Sequence, residues 1–169
     1  MTHKTDIMDW KECERKYIRK VEVDKGRINS LVKKAFQRLD RANSTEVSMD
    51  NISFVVEDYY EVIKELLIAF MLKNGLRSKN HQCLISYFYR KNQNFEKEAY
   101  LIAQMSYFRN RLEYYGEDIP VDFYNKNKEE FKKLIKIVLD ILRWVWKRKI
   151  GDHGKSTERV VNLIKSLIK

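Results

Sequence analysis

The sequence predicts an all-α protein, a bundle of about five to seven helices. Three observations predict it. The chain has one proline, Pro120, and five glycines, too few breakers for the turns that many short strands require. Leu, Lys, Glu and Arg, all good helix formers, are abundant. Long segments also repeat their apolar residues at helical spacing. Hydrophobic residues make up 44% of the 169, enough for a sizeable core in one domain and against global disorder.

Taken in order, a short helix is predicted from Ile7 to Tyr17. Asp24 is placed to cap a second helix running to about Leu39, with Asn43-Ser44-Thr45-Glu46 as the first loop. A third runs from about Asp50 to Lys73 and stops at Asn74-Gly75. Val55, Tyr59, Val62, Leu66 and Ala69 share a line that Val56, Ile63, Leu67 and Phe70 widen to about half the circumference, so this helix belongs in the middle of the bundle. Its polar strip carries Asp58, Glu61 and Glu65. A short helix follows over His81–Lys91, then one from Phe95 to Tyr115-Gly116. Pro120 breaks the chain, and the next helix covers about Val121 to Lys149 with Phe131, Leu134, Ile135, Val138, Leu142 and Val145 on one face. Gly151-Asp152-His153-Gly154 reads as a linker. Ser156 then caps a last amphipathic helix through Val160, Val161, Leu163, Ile164 and Leu167. Residues 1–150 are thus read as the bundle and 151–169 as a helix packed on it or appended to it.

The net charge of +10 favours acidic partners such as nucleic acid, although lysines occur in every region and also suit a merely solvated surface. No apolar run approaches the roughly 18 residues that span a bilayer; Leu66–Leu72 is a core segment. Cys13 and Cys83 form no framework or zinc spacing, and with no secretory signal they are expected as free thiols in the cytoplasm. No metal or cofactor is expected, since no Gly-rich phosphate loop, metal spacing or nucleophile elbow occurs.

The chemically informative stretch is Phe108-Arg109-Asn110-Arg111-Leu112-Glu113-Tyr114-Tyr115-Gly116. Leu101, Met105, Phe108, Leu112 and Tyr115 are spaced 4, 3, 4 and 3 and read as the core line of their helix. The opposite side carries Ala99, Ala103, Ser106, Asn110 and Tyr114; the first four are small or short and polar, which allows another helix to approach closely and suits packing against a second subunit with polar groups at the seam. Arg109 lies on the flank, at a groove edge. A structural reading stands beside this one: Arg109 and Glu113, four apart, form an ion pair, Arg111 reaches the strip of Asp58, Glu61 and Glu65, and Asn110 and Tyr114 hydrogen-bond across an interface. His81, beside Asn80 at a helix start, reads as a capping or packing residue. Nothing in the sequence pairs His3 or His153 with a Cys or carboxylate cluster, and no metal is assigned to them. Trp144, Trp146, Lys147, Arg148 and Lys149 can grip RNA or a membrane surface, and also suit tryptophans packed on the last helix.

Arg109-Asn110-Arg111-Leu112-Glu113-Tyr114 resembles the signature of the HEPN family: an arginine, a polar residue that is often Asn, three variable residues and a histidine. Asp24-Lys25-Gly26-Arg27, Val56-Glu57-Asp58-Tyr59-Tyr60 leading to Glu65-Leu66-Leu67, and Asn80-His81 look like archaeal and bacterial members. The resemblance spans about Arg19 to Leu142. It implies an up-and-down bundle that forms a homodimer, with two signature helices meeting in a cleft. Active members are metal-independent ribonucleases in which the arginine stabilises phosphate and the histidine exchanges a proton. Many are toxins encoded beside a small nucleotidyltransferase partner. Here Tyr114 stands in the histidine's place, and a phenol with a reference pKa of about 10 is a poor base at neutral pH. The expectation is therefore a HEPN-like protein that binds RNA, a nucleotide or a partner protein with weak or no catalysis. The alternative is a ribonuclease or toxin of a toxin–antitoxin pair. In either reading the site comprises Arg109, Asn110 and Tyr114.

Overall fold

The computed structural model describes residues 6–150, with side chains as far as Arg143. The described residues form six α-helices: α1 (Trp10–Lys16), α2 (Lys25–Ser44), α3 (Ile52–Lys73), α4 (Gln82–Lys91), α5 (Glu96–Tyr115) and α6 (Val121–Ile150). The all-α bundle expected from the breaker count is the observed architecture. One addition was not anticipated: β1 (Ile18–Lys20) and β2 (Leu76–Ser78) pair antiparallel, Ile18 opposite Ser78 and Lys20 opposite Leu76.

Local chemistry sets the boundaries. Asp24 caps α2, its carboxylate accepting from the Arg27 amide at 2.9 Å. The helix continues five residues beyond the expected end, to Ser44. Its last turn is tied off where the Thr45 hydroxyl donates to the Arg41 carbonyl. After α3 and α5 the chain leaves through Gly75 (φ 69°) and Gly116 (φ 64°), a left-handed conformation that glycine adopts without a Cβ penalty. The Pro120 carbonyl begins α6 by accepting from the Phe123 amide.

The central helix α3 runs antiparallel to α2, bridged by Arg38–Glu65 and Arg41–Asp58. It is antiparallel to α5, where Ser53 meets Asp118 and Tyr60 meets Ser106. It runs parallel to α6, with the Lys73 ammonium donating to the Leu142 carbonyl at 2.7 Å. Its core line is as read: Val55, Tyr59, Val62, Leu66 and Ala69 are all buried. Phe88, Ile102, Met105, Phe131 and Leu134 complete the fully buried centre, each contributing about 1.5–3 kcal/mol of burial.

Two expectations are overturned. Cys13 and Cys83 are not free thiols; they are joined by a disulfide that ties α1 to α4. Seventy residues separate them in sequence, and only the antiparallel docking of α1 on α4, with Trp10 against Tyr87, brings them together. With both sulfurs in this bond, the pair gives no ground for a reducing compartment.

The two faces of α5 also differ from expectation. Of the expected core line, Met105 is fully buried and Leu101 and Phe108 pack half-buried against the core, but Leu112 is half-buried and Tyr115 is exposed; Ala99, Ala103 and Ser106 of the opposite side are buried within the chain. The small residues do admit a close neighbour, but the neighbours are the chain's own helices. Ser106 Oγ takes hydrogen bonds from Tyr60 of α3 at 3.2 Å and from Gln82 of α4 at 3.0 Å. Ala99, Ala103 and Ser106 are therefore covered by the chain itself, while Asn110 and Tyr114 of the same side reach the surface.

Among the described residues no helix is long and apolar enough to cross a membrane. His3, His153, the 151–154 linker and the helix expected from Ser156 lie outside the described residues, as do the side chains of Trp144, Trp146, Lys147, Arg148 and Lys149.

Candidate functional site

Where α1 ends and the turn from β2 into α4 overhangs α5, an open groove of about 690 Å³ forms. Lys16 and Tyr17 come from the end of α1. Lys79, Asn80, His81 and Gln82 come from the β2–α4 turn, and Arg109, Asn110, Glu113 and Tyr114 from α5. The three residues predicted as a site, Arg109, Asn110 and Tyr114, thus share one wall. Asn110 and Tyr114 are one helical turn apart, as their spacing requires.

The turn is rigidly built. Ser78 Oγ donates to the Asn80 carbonyl at 2.8 Å and accepts from the Asn80 amide at 3.0 Å. The Asn80 side chain accepts from the Gln82 amide at 2.9 Å, so Asn80 is the residue that caps α4. Lys79 donates its amide to the Tyr17 carbonyl at 3.2 Å, closing the groove's outer wall. His81 makes no capping hydrogen bond. It faces the groove instead, which corrects the capping role expected for it. Partial burial, then Lys64, lowers its pKa below the ordinary imidazole value, with Arg109 acting the same way; Glu61 and Glu113 act in the opposite sense. Its unprotonated form is favoured at neutral pH.

Arg109 is not a bare cation. Its side chain is only 16% exposed and sits among three carboxylates: Glu57 at 3.9 Å, Glu61 at 3.3 Å, and Glu113 one turn on. The Glu61 contact is an ion pair rather than an aligned hydrogen bond. Arg109 Nε and Glu61 Oε1 are buried with no hydrogen-bond partner among the described residues. Burial raises the pKa of Glu57, against the lowering influence of Arg109. The ion pair expected between Arg109 and Glu113 is present. Arg111 does not reach the acidic strip and pairs with Glu117. The strip is occupied by Arg41 on Asp58, Arg38 on Glu65, and Arg109 with Lys64 on Glu61.

Tyr114 is 72% exposed. It offers a ring face and a hydroxyl to whatever occupies the groove. The exposed cations of the site are Lys79 and Lys16, the latter paired with Glu12 at the surface. Sequence reading missed both lysines and Tyr17. The signal that could have found them is the β1–β2 pairing, which needs two three-residue segments 58 residues apart to be matched.

Among the described residues no group of three or more His, Cys, Asp or Glu is arranged to hold a metal ion. No family model, curated protein or solved structure matches the chain.

Proposed function

We propose that the groove binds single-stranded RNA, or a nucleotide with the same phosphate and base chemistry, in a HEPN-like bundle whose catalysis is weak or absent. The observation that carries this reading is the convergence of Lys16, Lys79 and His81 with the rings of Tyr17 and Tyr114 around one opening. Lysine ammonium groups attract phosphate. Tyrosine rings stack on bases, and such stacking is worth about 1–3 kcal/mol per base. The weak-catalysis part rests on Arg109, whose charge is already met by Glu57, Glu61 and Glu113 and which is therefore poorly placed to neutralise a transition state.

One observation favours the ribonuclease reading. His81 shares the groove with Arg109 and Asn110, and a neutral imidazole can take a proton from a 2′-hydroxyl. The test is incubation of the purified protein with single-stranded RNA in the presence of a chelator, read alongside anisotropy of the same labelled RNA. Binding without cleavage supports the proposal. Cleavage lost in His81→Ala and kept in Tyr114→Phe supports the ribonuclease. No binding at low salt removes both and leaves a protein partner as the ligand.

A further inference from the structure

At the end of the bundle where α2 leads into α3 and α5 into α6, the chain exposes five large apolar side chains. Val47 and Met49 lie in the α2–α3 connection, Phe54 in the first turn of α3, and Tyr114 and Tyr115 in the last turn of α5. They are between 40% and 73% exposed, and Val23 is the one other large apolar residue exposed to this degree among the described residues. Ser53 holds the two segments together, donating to Asp118 at 3.2 Å and accepting from the Ile119 amide at 2.8 Å. Single exposed hydrophobics are ordinary on a protein surface; their concentration at one end of a domain marks a contact surface.

The charge at that end is complementary to a basic partner. Segments 45–58 and 112–122 hold eight acidic residues and no Lys, Arg or His, in a chain whose net charge is +10. Arg41, Arg109 and Arg111 reach in from outside and meet Asp58, Glu57, Glu113 and Glu117. Glu46, Asp50, Asp118 and Asp122 are exposed and have no ion pair among the described residues. Nucleic acid and anionic lipid are repelled by this field, and so is an acidic peptide.

We infer that this end is a docking surface for a basic amphipathic segment of another protein, whose apolar side chains cover Met49, Phe54 and Tyr115 while its Lys and Arg residues meet Glu46, Asp50 and Asp122. An amphipathic helix laid on an apolar patch with complementary charge is a common recognition mode. Opposite charges at the rim mainly accelerate and orient the encounter, while the buried aromatic and Met contacts hold it. Tyr114 lies at the border with the groove, whereas Glu46, Met49, Asp50, Phe54 and Tyr115 do not line it, so substitutions at these positions probe the docking surface apart from RNA binding.

The probe is a synthetic Lys/Leu amphipathic helix of about 20 residues, long enough to cross the end of a domain of this size, titrated into the full chain with its Glu/Leu counterpart as the control. The Lys/Leu helix is expected to bind. Its affinity falls at least about tenfold in Met49→Ser/Phe54→Ser, as for loss of interface anchors, and also falls in Glu46→Lys/Asp50→Lys. Circular dichroism checks that both variants keep their helices. RNA binding in the groove is measured in the same variants and stays as in the unaltered chain, so failure of one assignment is distinguishable from failure of the other. Lys/Leu affinity unchanged in both folded variants overturns the inference. Equal binding of the Glu/Leu helix overturns it too. A self-association by sedimentation that disappears in Met49→Ser/Phe54→Ser also overturns it, by showing that a second copy of the chain is the occupant.

Discussion

Arg109 Nη2 lies 3.3 Å from Glu61 Oε1, in a contact where both side chains are almost covered by α3 and α5. Removing one partner of a buried pair leaves the other charged and unmatched. Arg109→Ala is therefore expected to destabilise the fold by about 3 kcal/mol. Denaturant unfolding measures this. A loss under about 0.5 kcal/mol would show that the network behaves as a surface pair. A drop in RNA affinity in this variant is thus partly a drop in folded protein, and the exposed lysines are the cleaner probes of the groove.

The burial of the small side of α5 gives a second prediction. Ala103→Leu inserts three heavy atoms where Ala103 is buried within the chain, and overpacking of this kind costs about 1–3 kcal/mol. Thermal unfolding should register it in a monomer. If the face were a subunit seam, Ala103→Leu would change the oligomeric state and leave the monomer's stability alone.

How far the sequence could be read follows from which interactions are local. Asp24, Gly75, Gly116 and Pro120 act within a few residues, and each marks its boundary as expected. The α3 core line was legible because one half of that helix is uniformly apolar. On α5 the two sides compete: one is large and apolar, the other small. Size alone placed the core too far toward the large side, which buries Met105 but leaves Tyr115 exposed, because the deciding fact is that α4 comes close enough to set Gln82 on Ser106. His81 and Arg109 enter one groove only through the β2–α4 turn, and Cys13 meets Cys83 only through the docking of α1. None of these juxtapositions has a local signature.

The disulfide closes a loop of seventy residues. In the chain-entropy account a loop of that size contributes about 4 kcal/mol. Cys13→Ala/Cys83→Ala, or the unaltered chain in a dithiol reductant, should unfold at lower denaturant by that amount. Thiol titration of the unfolded, unreduced chain should find no free thiol from this pair. Two reactive thiols there would contradict the bond.

His81 gives a pH prediction. Its folded pKa lies below the ordinary value of about 6.5, so the folded state favours the neutral ring. The associated stability is present above the unfolded pKa and is lost as pH falls through the folded one. Proton NMR of the His81 ring should show a midpoint below that of an unfolded peptide. Bound RNA should raise it, because phosphate favours the imidazolium. A midpoint above the ordinary value in the free protein would contradict this placement.

The most direct test of the groove as an RNA site is the salt dependence of single-stranded RNA binding in the unaltered chain and in Lys16→Ala/Lys79→Ala. Both lysines are exposed, so the double variant should fold normally. Each phosphate contact on a single strand contributes about 0.7 to the slope of log affinity against log salt. With one phosphate met by each lysine, the variant should bind more weakly and with a slope shallower by about 1.4. Equal affinity and equal slope in the two proteins would contradict this and place any RNA binding elsewhere on the chain.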